Sequence, residues 1–556
     1  MASPRKKVLV IGLDGATWDV IRPLVEAGDM PAIASMIEEG ASGDLRAVMP
    51  PVTPPSWSSF YTAMNPGKHG VFEFEHRVPG EYRFSPVNST FLRKPPFWSL
   101  LSEAGYRVGV VNVPLAYPPQ KVNGVVVGGI LTPPGVDDHI YPPEFAIDLA
   151  RAVPGYTSWP PELQLGHGNE ETYIRTHAEL IDAQFAAMEH AMMWLGEWDL
   201  FFGAVQFPDQ IFHWFWKHDD PSHPRHGDVR EEYRGVVRRC HMLLDRHVAT
   251  LREAAGPDAL TMIVSDHGNG PLLRELYVDT LLAERGWTRF KRGPLTAGKQ
   301  LLRRAGFTPS SGFKAGHSLG LGGLVRKAMR FQRGLLDKAI AMSFISLRDV
   351  DWARSKAYAY GSWGSIYINL RGREPQGCVA PADYEGVRTQ IIEDLRTVID
   401  PTTGKPVFAQ VLERESVYSG DEIGRGPDIF VVPADESVHP AALLPFPTRH
   451  WIGEPFSSES GWHRQHGIVL IAGPGVSPGT TLEGARIEDA SATIMSYLGA
   501  GTTDDMDGLP LTAGFEADSL SVGSMERSDA GVADAVQPYS DEERELINKR
   551  LSDLGY

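Results

Sequence analysis

Four places in the chain put metal-ligating side chains at strand ends or sharp turns. Asp14 closes the apolar run Lys6–Gly15 (KKVLVIGLDG), where a rigid strand holds the carboxylate and Gly15 lets the chain turn sharply. Asp266 and His267 close a second run, TMIVSDHG; neighbours of those types reach one cation only where the chain breaks direction, which Gly268 and Gly270 permit. Asp209 and His213, in FPDQIFHWFWKH, are spaced to share one face of a helical turn. His463 and His466 precede the run GIVLIAGPG, and either is a candidate ligand. Imidazole nitrogen and carboxylate oxygen without sulfur suit Zn²⁺, Mn²⁺ or Fe rather than Ca²⁺ or an iron–sulfur cluster. Asp14, Asp209, His213, Asp266, His267 and His463 are enough for two cations, and two cations about 4 Å apart form the clamp used for in-line displacement at phosphorus.

A nucleophile is suggested by Pro50-Pro51-Val52-Thr53-Pro54-Pro55-Ser56-Trp57. A threonine hydroxyl attacks poorly while protonated, so it needs a base or a metal beside it. Prolines fix the backbone around Thr53, and the residues after Pro55 read as a helix start whose free N–H groups could bind phosphate oxygens.

These residues need a scaffold that brings distant strand ends together. Continuous apolar runs at Lys6–Gly15, Val108–Val113, Gly124–Ile130, Leu200–Val205, Leu260–Ser265, Ile429–Pro433 and Gly467–Ala472 suit strands covered on both faces. A helix carrying MPAIASMIEEGA stops at Gly40, and helical patterns at Glu170–Met193 and Asp228–Ala255 lie between strands. Strands alternating with helices imply right-handed crossovers and a large doubly wound sheet, with sites at the carboxyl ends of its strands.

The chain has 556 residues, 42% of them hydrophobic, and 53 Lys+Arg against 70 Asp+Glu give a net charge of −17. Length alone suggests roughly three to four domains. The composition excludes wholesale disorder, and the acidic balance argues against dedicated nucleic-acid binding. Cys240 and Cys378 form no disulfide framework, the apolar run near the N-terminus is too short for a signal peptide, and no stretch of about 18 apolar residues occurs. A cytoplasmic protein with no membrane partner is expected. From Arg285 to Gln332 basic residues occur without one Asp or Glu, which reads as an inserted segment, either a solvated face or an attractor of anionic substrates. Glu516–Pro538 reads as a mobile linker, and Ser540 with Glu543 makes a capping box opening a helix with Leu546, Ile547, Leu551 and Leu554 on one side.

The ordered series GLDG, PPVTPPSWSSFYTAMNPGKHG, PDQIFH, SDHG and GWHRQHGIVLIAGPGV resembles the type I phosphodiesterase/nucleotide pyrophosphatase branch of the alkaline phosphatase superfamily, across roughly Val8 to Leu511. The resemblance implies an alkaline-phosphatase-like α/β/α sandwich with a large, mostly parallel sheet and an inserted cap. The expected division is a catalytic core in two parts, 1–284 and 346–515, a basic, helix-rich cap at 285–345, and a linker with a C-terminal helix at 516–556. It implies a metal-dependent hydrolase of small phosphate esters working through a phosphothreonine on two divalent ions, Zn²⁺ first, with Mn²⁺ or Fe as alternatives. Asp14, Thr53, Asp266 and His267 would hold one ion, with Thr53 the nucleophile. Asp209, His213 and His463 would hold the other; His463 is preferred to His466 because the family's histidine precedes Arg and the GI strand. Ser56, where many relatives carry Asn, would bind a phosphoryl oxygen, and His69 would be structural. The chain departs from the family pattern where relatives place a phosphate-holding Asn after the HG turn, since HGVFEF offers Glu73 and Phe74. It also lacks the sulfatase signature CxPxR, because Val-Ala-Pro-Ala follows Cys378. A phosphomonoesterase or phosphomutase on the same core, or a metal-bound binding protein without turnover, are the alternatives.

Overall fold

The computed structural model describes residues 6–159, 165, 168–312, 344–442, 446–455, 458–521 and 523–554. Nine strands form the central sheet, in the order Thr480–Thr481, Ala41–Arg46, His466–Ala472, Ala259–Val264, Lys7–Leu13, Leu200–Val205, Val108–Val113, Gly124–Gly128 and Ile140–Tyr141. The five from Ala259–Val264 to Gly124–Gly128 run parallel, while His466–Ala472 lies antiparallel to both its neighbours.

Alternation along the Lys7–Leu13 strand shows why the run is apolar throughout. Val8 and Val10 point into one core with Trp57, Phe60, Phe97 and Ile494, whereas Leu9, Ile11 and Leu13 point into a second with Ile33, Phe185, Phe212 and Leu244. Helices Thr53–Thr62, Phe97–Glu103 and Ile487–Leu498 cover the first face; Pro31–Glu39, Glu170–Leu195, Phe207–Asp219 and Val236–Ala255 cover the second. A sheet buried on both sides is the α/β/α sandwich expected from the sequence.

Three elements differ from the sequence reading. Ile429–Pro433 is a strand, but it belongs to a separate four-stranded antiparallel sheet with Ala357–Tyr360, Ser365–Ile368 and Phe408–Glu413, built over its own core of Leu281, Ile366, Ile391 and Val431. The helix expected from Asp228 starts at Val236, because Gly235 at φ +74° interrupts the helical path behind two short 3₁₀ turns. The described part of Glu516–Pro538 is tied along the core: Glu516 N donates to Gly475 O, Met525 N to Thr502 O, and Asn88 Nδ2 to Gln537 O. The capping box forms as read: Ser540 N donates to Glu543 Oε2 at 2.8 Å and Glu543 N to Ser540 Oγ at 3.2 Å, and Ile547 and Leu551 of helix Asp541–Leu554 are buried. Of the basic segment, 313–343 lies outside the described residues; the rest includes helix Pro294–Arg304.

Candidate active site

Three adjacent parallel strands carry the acidic residues at their carboxyl ends: Asp14 after Lys7–Leu13, Asp266 after Ala259–Val264, and Asp209 in the helix following Leu200–Val205. The turn after Asp14 needs glycine twice over. Gly15 has φ +70°, and a Cβ there would lie 2.9 Å from the Asp209 Cβ and closer still to Asn269 Nδ2. Asp14 N donates to Val205 O and Asp209 N to Asp14 O, so the two acids are joined through backbone as well as through the sheet.

Around these acids sit three buried histidines and a buried threonine. His267 Nε2 lies 3.6 Å from Asp14 Oδ1 and 3.4 Å from Asp266 Oδ2. His213 Nε2 lies 3.1 Å from Asp209 Oδ2, and His463 Nε2 lies 3.4 Å from Asp209 Oδ1. Thr53 Oγ1 is 3.4 Å from His267 Nε2. His466, by contrast, is exposed at the start of its strand. His69 lies within its own turn, taking Val71 N on Nδ1 and meeting Ser59 Oγ through Nε2, and burial pulls it down to about 3.

The histidine tautomers follow from their partners. A carbonyl only accepts, so His267 Nδ1, 3.0 Å from Gly268 O, and His463 Nδ1, 2.9 Å from Pro51 O, each carry the proton. In the neutral rings both Nε2 atoms then present lone pairs toward carboxylate oxygens. Lone pair against lone pair is repulsive unless a cation lies between them, and a carbonyl fixing the far nitrogen is the usual support of a metal-bound imidazole. Asp14 Oδ1 and Asp266 Oδ2 are buried with no hydrogen-bond partner among the described residues. Burial and the charge of Asp209 push the Asp14 carboxyl well above the carboxylate range; burial and Asp14 do the same to Asp266. Burial and the neighbouring His463 hold His267 well below the usual imidazole value. Three acids crowded in a dry interior are costly without positive charge.

The donor set therefore fits divalent cations. Ligand atoms of Asp14, Asp266 and His267 lie within 4.8 Å of one another, and so do those of Asp209, His267 and His463. His267 belongs to both groups, while His213, beside Asp209, belongs to neither.

The segment around Thr53 departs from the sequence reading. The helix begins at Thr53 itself, and Thr53–Thr62 is buried along its whole length. Pro54 and Pro55 have no N–H, and Ser56 N already donates to Val52 O at 3.1 Å, so the first turn offers a phosphate the Thr53 N–H rather than a row of free donors. Ser56 Oγ, three positions on and fully buried, has no partner among the described residues. Trp57 Nε1 donates to Asp14 Oδ2 at 3.0 Å, tying this helix to the first strand; Gly12 leaves room for the indole, since a Cβ there would lie 2.6 Å from it.

Sequence reasoning missed the supports. Asn269 Nδ2 donates to Asp209 Oδ1 at 3.0 Å and to Gly15 O at 3.1 Å, and Asn269 pairs across a two-stranded ladder with His463. Its signal was present in Gly268-Asn269-Gly270, which reads as a turn. His439 packs against Trp462 with ring centres 4.2 Å apart and planes tilted by 38°, and meets Trp363 at 5.6 Å; nothing in its local sequence marks it. Glu73 is buried, accepts from Phe74 N, Ser362 N and Ser362 Oγ, and is pushed up to about 7 by burial.

The family model for type I phosphodiesterase/nucleotide pyrophosphatase matches residues 8–442. The chain belongs to this family. It is a phosphodiesterase/pyrophosphatase-type hydrolase, and the family is metal-dependent. Among solved structures, the phosphonoacetate hydrolase of Sinorhizobium meliloti 1021 aligns at 18% identity and TM-score 0.48 over 88% of this chain and 94% of that one. Human ENPP5 aligns at 14% and 0.45 over 91% and 96%, and an inactive murine ENPP5 in complex with AMP at 13% and 0.46 over 96% and 100%. No curated protein sequence matches. Among the described residues no helix is long and apolar enough to cross a membrane.

Proposed function

We propose that this member of the family hydrolyses small phosphate esters in two in-line steps through Thr53. The observation that supports it best is the cluster of Asp14, Asp209, Asp266, His267 and His463 with the Thr53 hydroxyl 3.4 Å from His267 Nε2; the Nε2 atoms of His267 and His463 face carboxylates, and Asp14 Oδ1 and Asp266 Oδ2 have no hydrogen-bond partner among the described residues. Two divalent cations, Zn²⁺ first and Mn²⁺ or Fe as alternatives, held by Asp14, Thr53, Asp266 and His267 and by Asp209, His213 and His463, would supply the positive charge that lowers the hydroxyl's pKa and offsets charge on the phosphoryl oxygens.

The chain's own residues do the rest. Thr53 Oγ1 forms a bond to phosphorus as the bond to the ester oxygen breaks, and the departing alcohol leaves with a proton. Water then attacks phosphorus on the opposite side, the Oγ1–phosphorus bond breaks, and the threonine hydroxyl is restored. Ser56 Oγ and the Thr53 N–H would bind phosphoryl oxygens, and Asn269 Nδ2 donates to Asp209 Oδ1. The division into a two-part core with a basic cap, and a cytoplasmic setting, remain part of this proposal.

Metal content and substrate class test it together. Elemental analysis of the purified protein, coupled to a panel of phosphate mono- and diesters, should find two equivalents of a transition metal and faster turnover of diesters. A metal-free protein active on the same panel would refute it, and isomerised product without released alcohol would identify a mutase.

A further inference from the structure

Helix Pro294–Arg304 sits the wrong way round for a soluble surface. Its buried positions are polar: Thr296, and Lys299, which bonds Asp349 Oδ2 at 2.9 Å, while Arg303 Nε donates to Thr448 O at 2.9 Å from the same side. The helix nevertheless exposes Leu295, Leu301 and Leu302, by 65%, 69% and 46%, and Phe307 just beyond it is 48% exposed. Four of the ten exposed large apolar side chains among the described residues thus fall within thirteen positions. Polar contacts pin the helix to the protein and leave its leucines outward, the reverse of an ordinary amphipathic surface helix.

The surroundings say what fits this face. Between Arg285 and Gly312 there is no Asp or Glu, and Arg289, Lys291, Arg292 and Arg304 are exposed. Beside the helix start lies an open hollow of ≈ 600 Å³ lined by Arg289, Lys291, Arg292, Gln300 and Arg354, with Asp351 the acidic residue at its adjoining edge. An apolar face bordered by cations and a basic hollow is the pattern of a segment lying in a membrane interface, with leucines among the acyl chains and lysine and arginine on anionic headgroups. Nucleic acid would use the cations but not the leucines. A symmetric pairing of two copies would bring the same cationic border against itself. The whole chain carries −17, so an anionic surface repels it elsewhere and orients it on this face.

We infer that the Pro294–Arg304 helix and its basic border dock this protein peripherally on an anionic lipid surface. The inference stands independently of the chemistry proposed for Thr53.

Flotation of the full chain with phosphatidylcholine vesicles, with and without about one third phosphatidylglycerol, tests it. Wild type should float with the anionic vesicles alone and be released by salt. Leu301→Glu/Leu302→Glu and, separately, Lys291→Glu/Arg292→Glu should each lower the bound fraction about tenfold, with hydrolysis of a soluble ester unchanged. Absence of flotation by wild type, or undiminished flotation of both variants, would overturn the inference. So would a wild-type dimer made monomeric by the leucine variant, which assigns the face to a second copy, or a marked loss of thermal stability in that variant, which assigns it to packing within the chain.

Discussion

The rings of His267 and His463 lie 3.7 Å apart at 22°, each with Nδ1 on a backbone carbonyl and Nε2 turned toward a carboxylate. Two neutral imidazoles stacked this closely, with lone pairs facing acids, describe a site built for cations. Stripping the metal with a chelator should therefore abolish ester hydrolysis and lower the melting temperature, because Asp14, Asp209 and Asp266 are left facing one another. Adding back Zn²⁺ or Mn²⁺ should restore both. A melting temperature indifferent to chelation would show that these acids need no counter-charge.

Asn269 offers a test of the support rather than of the ligands. Asn269→Ala removes the amide that holds Asp209 and the Gly15 carbonyl, so metal affinity or turnover should fall about 10- to 100-fold. Asn269→Asp should fall further, since it adds another negative charge. Titration of metal into the stripped variants distinguishes weaker binding from slower chemistry.

Gly15→Ala tests the turn. The left-handed backbone and the crowding against Asn269 and Asp209 should cost about 3 kcal/mol of stability, read as a shift in denaturant midpoint, together with lost metal. A stable, fully loaded variant would mean that the turn tolerates a side chain.

These three sites show what the sequence makes legible. Asp14, Asp209 and Asp266 stand out because each follows an apolar run short enough to be one strand, and strand ends in a parallel sheet converge. Thr53 stands out because prolines surround it. Asn269 does not, because an Asn between two glycines also makes an ordinary turn, and its role depends on a ladder partner at His463, far along the chain. His439 is invisible for the same reason: it meets Trp462 only through tertiary packing. The separate sheet containing Ile429–Pro433 was hidden because periodicity marks a buried strand without saying which sheet it joins. The outward leucines of Pro294–Arg304 were unreadable, since a helix's amphipathic pattern does not fix which face turns inward.

Glu73 should impose a pH dependence on stability. Its carboxyl is pushed up to about 7 in the folded chain, against 4.5 for the free group, by burial. The folded state therefore keeps a proton that the unfolded chain gives up first. The resulting stabilisation is complete below about pH 4.5, declines as pH rises and is gone above about pH 7, a change of about 3 kcal/mol. Glu73→Gln removes the titration but replaces one accepting oxygen with a donor facing Ser362 or Phe74. It should be less stable than wild type at pH 5, with the gap narrowing or reversing at pH 8. Parallel pH profiles of the two proteins would rule out this account of Glu73 if the gap stayed constant.

The central claim is that Thr53 carries the reaction on a metal-loaded site. The most direct measurement is turnover of Thr53→Ala on the best diester of the panel, in protein whose metal content and melting temperature match wild type. The account predicts a loss of about four orders of magnitude or more, with two equivalents of metal still bound. Turnover within about tenfold of wild type at unchanged metal content would contradict it.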